Sequence, residues 1–352
     1  MLGPVATQVG DRINDRYRVL ALLGVGANGE VYRVTDDHLG TEVALKLLKP
    51  QQNQPATWDE AQTLKQLTSE FLLPVLNADI VLGSDIRYIT TPIMDGGDLE
   101  NHAEYFGVDP RTAAHWGQQL GYGLDRMHKA GLLHRDVKPG NAYLDDKDDV
   151  LLGDMGMAVA VDTDGRAPAS GTLATVAPEV LSMASDACSV ASDVYSLAAT
   201  VFYLLSGQYP TGPKKIGLRE RRELILEGKF LSIRDIAPHV PLTLARVIEK
   251  GLSNSPEERH RSARDFANDL ARCKHHRRSW RQNSPHENHR MCFTADATST
   301  AQALSLCVIP QSPTHVSIEV KLSTGRRVKR YERNRLAVNQ LPATLRKLIK
   351  EI

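Results

Sequence analysis

The sequence predicts an α+β architecture in three parts: a small antiparallel β-sheet lobe with one helix, a large and mainly helical lobe, and a small C-terminal α+β module. Three observations carry this. Short alternating apolar runs broken by glycine dominate up to Met94, and helical spacing dominates from there to Cys273. Beyond Cys273 the charge changes sign: residues 274–352 hold 15 Lys plus Arg against 5 Asp plus Glu, whereas residues 1–273 hold 28 against 37. A chain of 352 residues has room for two or three such units at about 100–200 residues each.

After an N-terminal extension, 1–14, the small lobe spans 15–94. Its strands are expected at Tyr17 to Leu23, Glu30 to Thr35 and Glu42 to Leu48, with glycine-containing turns between them. Thr57 to Leu67 sets Ala61, Leu64 and Leu67 at helical spacing, with Thr57 and Glu60 as a capping box. Two further strands, Val75 to Leu82 and Arg87 to Met94, lead to Asp95-Gly96-Gly97-Asp98, where the helical lobe, 95–273, begins. Residues 274–290, KHHRRSWRQNSPHENHR, lack apolar periodicity and read as a solvated basic linker. In the module, 291–352, Val316, Ile318, Val320 and Leu322 followed by Gly325 and Val328 read as a hairpin over 314–332. Leu345, Leu348, Ile349 and Ile352 form one face of a terminal helix opposite Arg346, Lys347 and Lys350.

Composition excludes several classes. With 41% hydrophobic and 24% charged residues, the chain fits neither a multi-span membrane protein nor wholesale disorder. The longest apolar stretch, Val194 to Leu205, is too short to cross a bilayer. Cys188, Cys273, Cys292 and Cys307 lie far apart with no C-x-x-C pair, so no disulfide framework is expected and a reducing compartment fits. No basic start followed by an apolar run opens the chain, so the expectation is no secretory signal and cytoplasmic residence.

Three clusters carry chemistry. Gly24-Val25-Gly26-Ala27-Asn28-Gly29-Glu30-Val31 lies between two expected strands, where glycines let backbone N–H groups approach phosphate oxygens. A plain hairpin turn accounts for them equally well, and the absence of a following helix argues against a dinucleotide site. Val43-Ala44-Leu45-Lys46 places a lysine at an otherwise apolar strand position. A buried ammonium needs an anion, and the next helix offers Glu60, with Asp59 as competitor; snorkelling to solvent is the alternative. The third cluster is His134-Arg135-Asp136-Val137-Lys138-Pro139-Gly140-Asn141, followed by Asp154-Met155-Gly156 after an apolar strand, Val150 to Leu152. An aspartate, a lysine two residues on, an asparagine five residues on and a second aspartate on an adjoining hairpin supply a base, a cation for phosphate and two oxygen ligands for Mg²⁺.

With Gly171-Thr172 ahead of Ala177-Pro178-Glu179, Asp193 opening an apolar helix, and Pro256-Glu257-Glu258-Arg259 leading to Ser262-Ala263, the order of motifs resembles the eukaryotic-like (Hanks-type) protein kinases. It is most similar to the bacterial serine/threonine kinases of that superfamily, over 15–273. The resemblance implies the two-lobed kinase fold and a site residue by residue. Lys46 would hold the α- and β-phosphates of ATP, with Glu60 fixing its position, and Gly24, Gly26 and Gly29 would cover the phosphates. Asn141 and Asp154 would bind Mg²⁺, with Mn²⁺ as an alternative. Asp136 would accept or orient the proton of the attacking hydroxyl, Lys138 would neutralise charge on the γ-phosphoryl group, and Thr172 would contact both. Val31 and Ala44 would sandwich adenine beside a gatekeeper, Thr91. Pro92 offers a carbonyl but no N–H, so Met94 would supply the backbone donor. Glu179 would pair with Arg259, and Asp193 would anchor the catalytic loop from beneath. The implied activity is phosphoryl transfer from Mg-ATP to serine or threonine hydroxyls of protein substrates, autophosphorylation included, in a signalling role.

Two departures stand out: Met155 replaces the usual Phe, and Leu173-Ala174-Thr175-Val176 lacks the aromatic residues common before Ala177-Pro178-Glu179. Arg135 before the catalytic aspartate would pair a phosphate on the activation segment, with Thr163, Ser170 and Thr175 as candidates. The basic module would suit nucleic acid, an anionic membrane surface, another acidic partner, or docking onto the acidic kinase lobe of the same chain. Cys273, His275, His276, His286, His289 and Cys292 are metal-ligand residue types, but their intervals fit no finger pattern, so solvated linker histidines are expected. The rival functions are a pseudokinase scaffold, which leaves the polar set around Asp136 without a chemical reason, and a kinase-regulated nucleic-acid binder, for which no motif is recognisable.

Overall fold

The computed structural model describes residues 7–26, 29–49, 60–182 and 187–352, the side chain of Glu60 excepted. The small lobe holds β1 (Arg12–Ile13), β2 (Tyr17–Gly26), β3 (Gly29–Asp36), β4 (Thr41–Leu48), α1 (Glu60–Gln66), β5 (Asn77–Ile80) and β6 (Arg87–Thr91). The six strands form one antiparallel sheet in the order β1-β2-β3-β4-β6-β5. Alternation assigns its two faces. Tyr17, Val19, Tyr32, Val34, Val43, Leu45 and Tyr88 close a core on one. The pairs Val31↔Lys46, Lys46↔Ile89 and Ala44↔Thr91 put these five residues together on the other, where Ile89 joins the core of the helical lobe. The expected extension, 1–14, is corrected at its end: Arg12–Ile13 pairs with β2, and Ile13 is buried. Thr57, Asp59 and the Glu60 side chain, which carried the expected cap, lie outside the described residues.

The helical lobe follows with α2 (Leu99–His102), α3 (Pro110–Lys129), β7 (Leu132–Leu133), β8 (Ala142–Leu144), β9 (Val150–Leu152), β10 (Val159–Ala160), α4 (Pro178–Leu181), α5 (Val190–Ser206), α6 (Leu218–Leu226), α7 (Ile233–Ile236), α8 (Leu242–Gly251) and α9 (Ala263–Ala271). Helix α5 is apolar all round and buried from Ser192 to Ser206, so it forms the lobe's axis rather than a membrane span. A capping box of Ser189 and Ser192 starts it, and Gly207 stops it at φ 69°. Helix α3 lies close against it because position 117 is glycine: a Cβ there would meet Val201 at 2.6 Å. Among the described residues no helix is long and apolar enough to cross a membrane.

The module consists of β11 (Trp280–Asn283), β12 (Met291–Ala295), β13 (Leu304–Ser312), β14 (His315–Leu322), β15 (Arg333–Ala337) and α10 (Leu341–Glu351). Its strands pair antiparallel in chain order, and α10 packs Leu341, Leu345, Leu348 and Ile349 against Trp280, Phe293, Leu306, Val308, Val316, Ile318 and Val320. Two expectations are corrected. The supposed linker, 274–290, carries β11, whose Trp280 is 1% exposed in the module core; its single apolar residue was too little to show a strand. The expected hairpin over 314–332 is real only as a tight return, Leu322 N–H to Arg326 O at 3.0 Å, because β14 finds its long partners in β13 and β15.

Among the described residues the module and the segment leading into it contact the helical lobe at several places. Arg346 on α10 donates to the Arg234 carbonyl at 2.9 Å and to the Asp235 carboxylate at 2.8 Å. Arg111 at the start of α3 donates to the His276 carbonyl at 2.9 Å, and the Ser279 hydroxyl donates to Asp109, the residue capping α3. The His239 ring lies 5.7 Å from that of Phe293.

Candidate active site

The loop between β7 and β8 is held by one buried carboxylate. Asp193, at the start of α5, accepts the backbone N–H groups of His134 and Arg135, each at 2.9 Å, and its Oδ2 lies 2.8 Å from His128 Nε2. Burial alone would raise the Asp193 carboxyl, but these donors and the neighbouring histidines hold it below the ordinary value. The loop pays for its shape with Arg135 at φ 66°, a left-handed position that Asp193 supports from beneath. His134 Nε2 reaches the Gly153 carbonyl at 2.9 Å, and Gly153 N–H donates to the Asn141 carbonyl at 2.8 Å, so the two motif segments are stitched together.

On this support Asp136, 2% exposed, collects three polar neighbours. Lys138 Nζ donates to Oδ2 at 2.7 Å and the Thr172 hydroxyl donates to Oδ1 at 2.6 Å, while Lys138 also donates to Thr172 at 3.0 Å. Asn141 Nδ2 donates to the Asp136 carbonyl at 2.8 Å, which leaves Oδ1 as the atom it presents elsewhere. Desolvation pushes the Asp136 carboxyl up, yet the Lys138 charge and the hydrogen bonds outweigh it, and its pKa lies below the ordinary carboxylate value.

Asp154, at φ 56°, opens the Asp154-Met155-Gly156 turn and meets Lys46 at 2.5 Å. Lys46 lies on an inner strand rather than an edge, and among the described residues it pairs with Asp154, 108 residues away; Asp59 and the Glu60 side chain, its expected partners, lie outside the described residues. Met155 is 4% exposed in the core, filling an apolar position.

In the glycine string, β2 and β3 form a hairpin whose tip, Ala27 and Asn28, lies outside the described residues. Gly29 is fixed by the sheet itself: at φ 153°, a Cβ there would stand 2.0 Å from the Leu47 carbonyl oxygen. Gly24 has open space at the same test. Its lack of a side chain is not demanded by protein packing. Thr91 ends β6 opposite Ala44, and Met94, beyond Pro92, is half-buried with its carbonyl taken by Gly97 N–H at 3.2 Å.

The remaining expected pairs fall into place around this floor. Arg259, whose side chain is wholly buried, holds Glu179 with two parallel bonds of 2.7 and 2.8 Å and lies over the Tyr195 ring. The Arg135 guanidinium donates to the Met157 carbonyl at 2.7 Å and the Pro168 carbonyl at 3.1 Å, within the segment that it was expected to pair. Of the candidate phosphorylation sites, Thr175 is enclosed in this structure at 1% exposure. Thr163 is exposed and Ser170 half-buried. His128 was missed, since its bond to Asp193 spans 65 residues.

This geometry agrees with comparison to known proteins. Residues 17–287 match the protein kinase domain family, and the chain belongs to that family. It is 31% identical over 280 residues to the serine/threonine-protein kinase PknD of Mycobacterium tuberculosis, covering 74% of this chain and 40% of that protein. It is 30% identical over 286 residues to PknA of the same species, covering 76% of this chain and 63% of that one. The DNA damage-responsive serine/threonine-protein kinase RqkA of Deinococcus radiodurans is 32% identical over 182 residues, 48% of this chain and 27% of its own. The relatives are thus bacterial serine/threonine kinases, and the chain spans less than two thirds of the length of each.

Proposed function

We propose that the chain is an active serine/threonine protein kinase that transfers the γ-phosphoryl group of Mg-ATP to protein hydroxyls, its own included. One observation carries this reading: Asp136 is buried, ionised and held in one orientation by Lys138 and Thr172 at the floor of the site. An incoming serine or threonine hydroxyl needs an acceptor for its proton and a fixed line of approach, and a carboxylate pinned at both oxygens supplies these. In this reading Lys138 would neutralise the charge that spreads over the γ-phosphoryl group during transfer, and Lys46 would hold the α- and β-phosphates.

Asn141 and Asp154 offer an amide oxygen and a carboxylate oxygen, hard donors that fit Mg²⁺, with Mn²⁺ as a substitute. A cation held by these two residues would supply positive charge to offset that of the phosphates. Val31 and Ala44 offer an apolar wall to adenine, and the backbone of Pro92 and Met94 offers its polar edge. Docking of the basic module onto its own helical lobe, as the Arg346 and Ser279 contacts suggest, is the partner reading preferred here. A cytoplasmic signalling role is the setting proposed for this activity.

The test is transfer of label from γ-labelled ATP with Mg²⁺ to the chain itself and to a generic basic protein. Wild type should label, and Asp136→Ala should not while still binding nucleotide. Equal labelling in both, or none in either, would refute the proposal.

A further inference from the structure

We propose that His286, His289, Cys292 and Cys307 bind one zinc ion that fastens the β11–β12 loop to strand β13. This departs from the expectation of solvated linker histidines: His286 and His289 gather beside Cys292 and Cys307, whereas Cys273, His275 and His276 fall outside the group.

Sheet register brings the thiols together. Cys292 on β12 stands directly opposite Cys307 on β13. Their neighbours Phe293, Leu306 and Val308 point into the module core, so by strand alternation both thiols point to the other face, away from α10. A residue on that face is ordinarily open to water, yet Cys292 is 3% exposed and Cys307 9%. The cover is the turn at 286–289, closed by His289 N–H donating to the His286 carbonyl at 2.9 Å with Asn288 at φ 63°. That turn sets both imidazoles over the sulfurs.

The four ligand atoms lie within 4.8 Å of one another. His286 Nδ1 is 3.3 Å from His289 Nδ1 and 3.3 Å from Cys292 Sγ. His289 Nδ1 is 3.3 Å from Cys292 Sγ, and Cys307 Sγ is 3.6 Å from His286 Nδ1. A tetrahedron with Zn–N of about 2.05 Å and Zn–S of about 2.3 Å has edges of about 3.3 Å between nitrogens and about 3.6 Å from nitrogen to sulfur. These four separations lie within about 0.3 Å of the corresponding edges of a zinc cage. A disulfide is the competing fate of two facing cysteines, but it would leave both histidines gathered for no purpose, and both cysteines are free thiols.

Two sulfurs and two imidazole nitrogens favour zinc over the hard cation of the kinase site. Binding releases one proton from each thiol to solvent, and the two thiolates balance the ion's charge. With all four positions filled by protein, no open position remains for chemistry, so the ion is structural. A module of roughly 70 residues gains from such a staple, which joins a loop to a strand that sequence places well beyond it. Glu319, opposite Cys307 in register, adds a carboxylate on the same face.

The full chain, purified without chelators, should carry about one zinc per molecule by elemental mass spectrometry, and His286→Ala or Cys307→Ser should each lose it. In the wild-type chain, zinc release by a chelator should expose two thiols to a thiol reagent in step. Cobalt(II) in its place should give the visible bands of a tetrahedral ion with thiolate charge transfer, so the proposal remains testable even if a variant misfolds. Wild-type chain that holds no zinc and takes up none when zinc is added, an octahedral cobalt spectrum, or a Cys292–Cys307 disulfide under reducing conditions would each overturn it.

Discussion

The Thr172 hydroxyl and the Asp136 carboxylate meet at 2.6 Å although 36 positions separate them in the chain. This bond ties the segment that carries Thr172 to the loop that carries Asp136, so seating that segment fixes one oxygen of the proposed base while Lys138 holds the other. Thr172→Val removes a bond to a charged group, worth about 1.5–3 kcal/mol. The expected result is a fall in kcat of roughly 10- to 100-fold, with little change in nucleotide affinity, and partial rescue by Thr172→Ser. Steady-state kinetics with nucleotide binding measured separately checks this.

Lys138 is the main reason that Asp136 stays ionised despite burial. On the proposed reading activity needs the carboxylate, so it should be lost as pH falls through the Asp136 pKa. In wild type that pKa is depressed, and the acid limb due to Asp136 should lie below the ordinary carboxylate range. Lys138→Met keeps the burial and removes the charge, so the limb should move to higher pH while kcat falls. A pH–rate profile of the variant with an unmoved acid limb would contradict this account.

Glu179 and Arg259 form a bidentate pair with the guanidinium fully enclosed. Removing the carboxylate alone leaves a buried cation, so Glu179→Ala should destabilise the helical lobe by about 3–5 kcal/mol. Replacing both, Glu179→Leu with Arg259→Met, should recover much of that loss. Denaturant unfolding of the three chains checks the non-additivity.

Much of this was legible in the sequence because kinase chemistry is written in short contiguous strings. His134 to Asn141 and Asp154 to Gly156 hold within a few positions the residues proposed as base, cation and metal oxygens, and the structure brings them together. Asp193 and the Glu179–Arg259 pair were legible only through resemblance, since local patterning does not announce a partner 80 residues away. What stayed hidden was set by tertiary register. The contact of Lys46 with Asp154, His128 beneath the loop that carries Asp136 and the meeting of Cys292 with Cys307 all depend on which strands and loops adjoin. In the module, β11 was lost because one tryptophan among polar residues makes no period. The hairpin over 314–332 was misassigned because β14's alternation shows a strand but not which neighbour it joins.

His239 gives the last prediction. Its ring sits between the helical lobe and the module, against Phe293, fully enclosed and with neither ring nitrogen hydrogen-bonded among the described residues. Burial pushes its pKa from 6.5 down to about 4; Asp109 opposes the shift and His276 adds to it. The folded chain therefore holds His239 neutral where the unfolded chain would protonate it. Stability from this group is complete above the unfolded value and declines as pH falls from 6.5 toward 4, because the unfolded state then binds the extra proton. At pH ~5 the loss should be about 2 kcal/mol relative to neutral pH. His239→Phe keeps an aromatic ring against Phe293 and cannot protonate, so its unfolding free energy should lose that part of the pH dependence. Parallel slopes for wild type and His239→Phe between neutral pH and pH ~5 would show that this histidine does not couple the interface to acid.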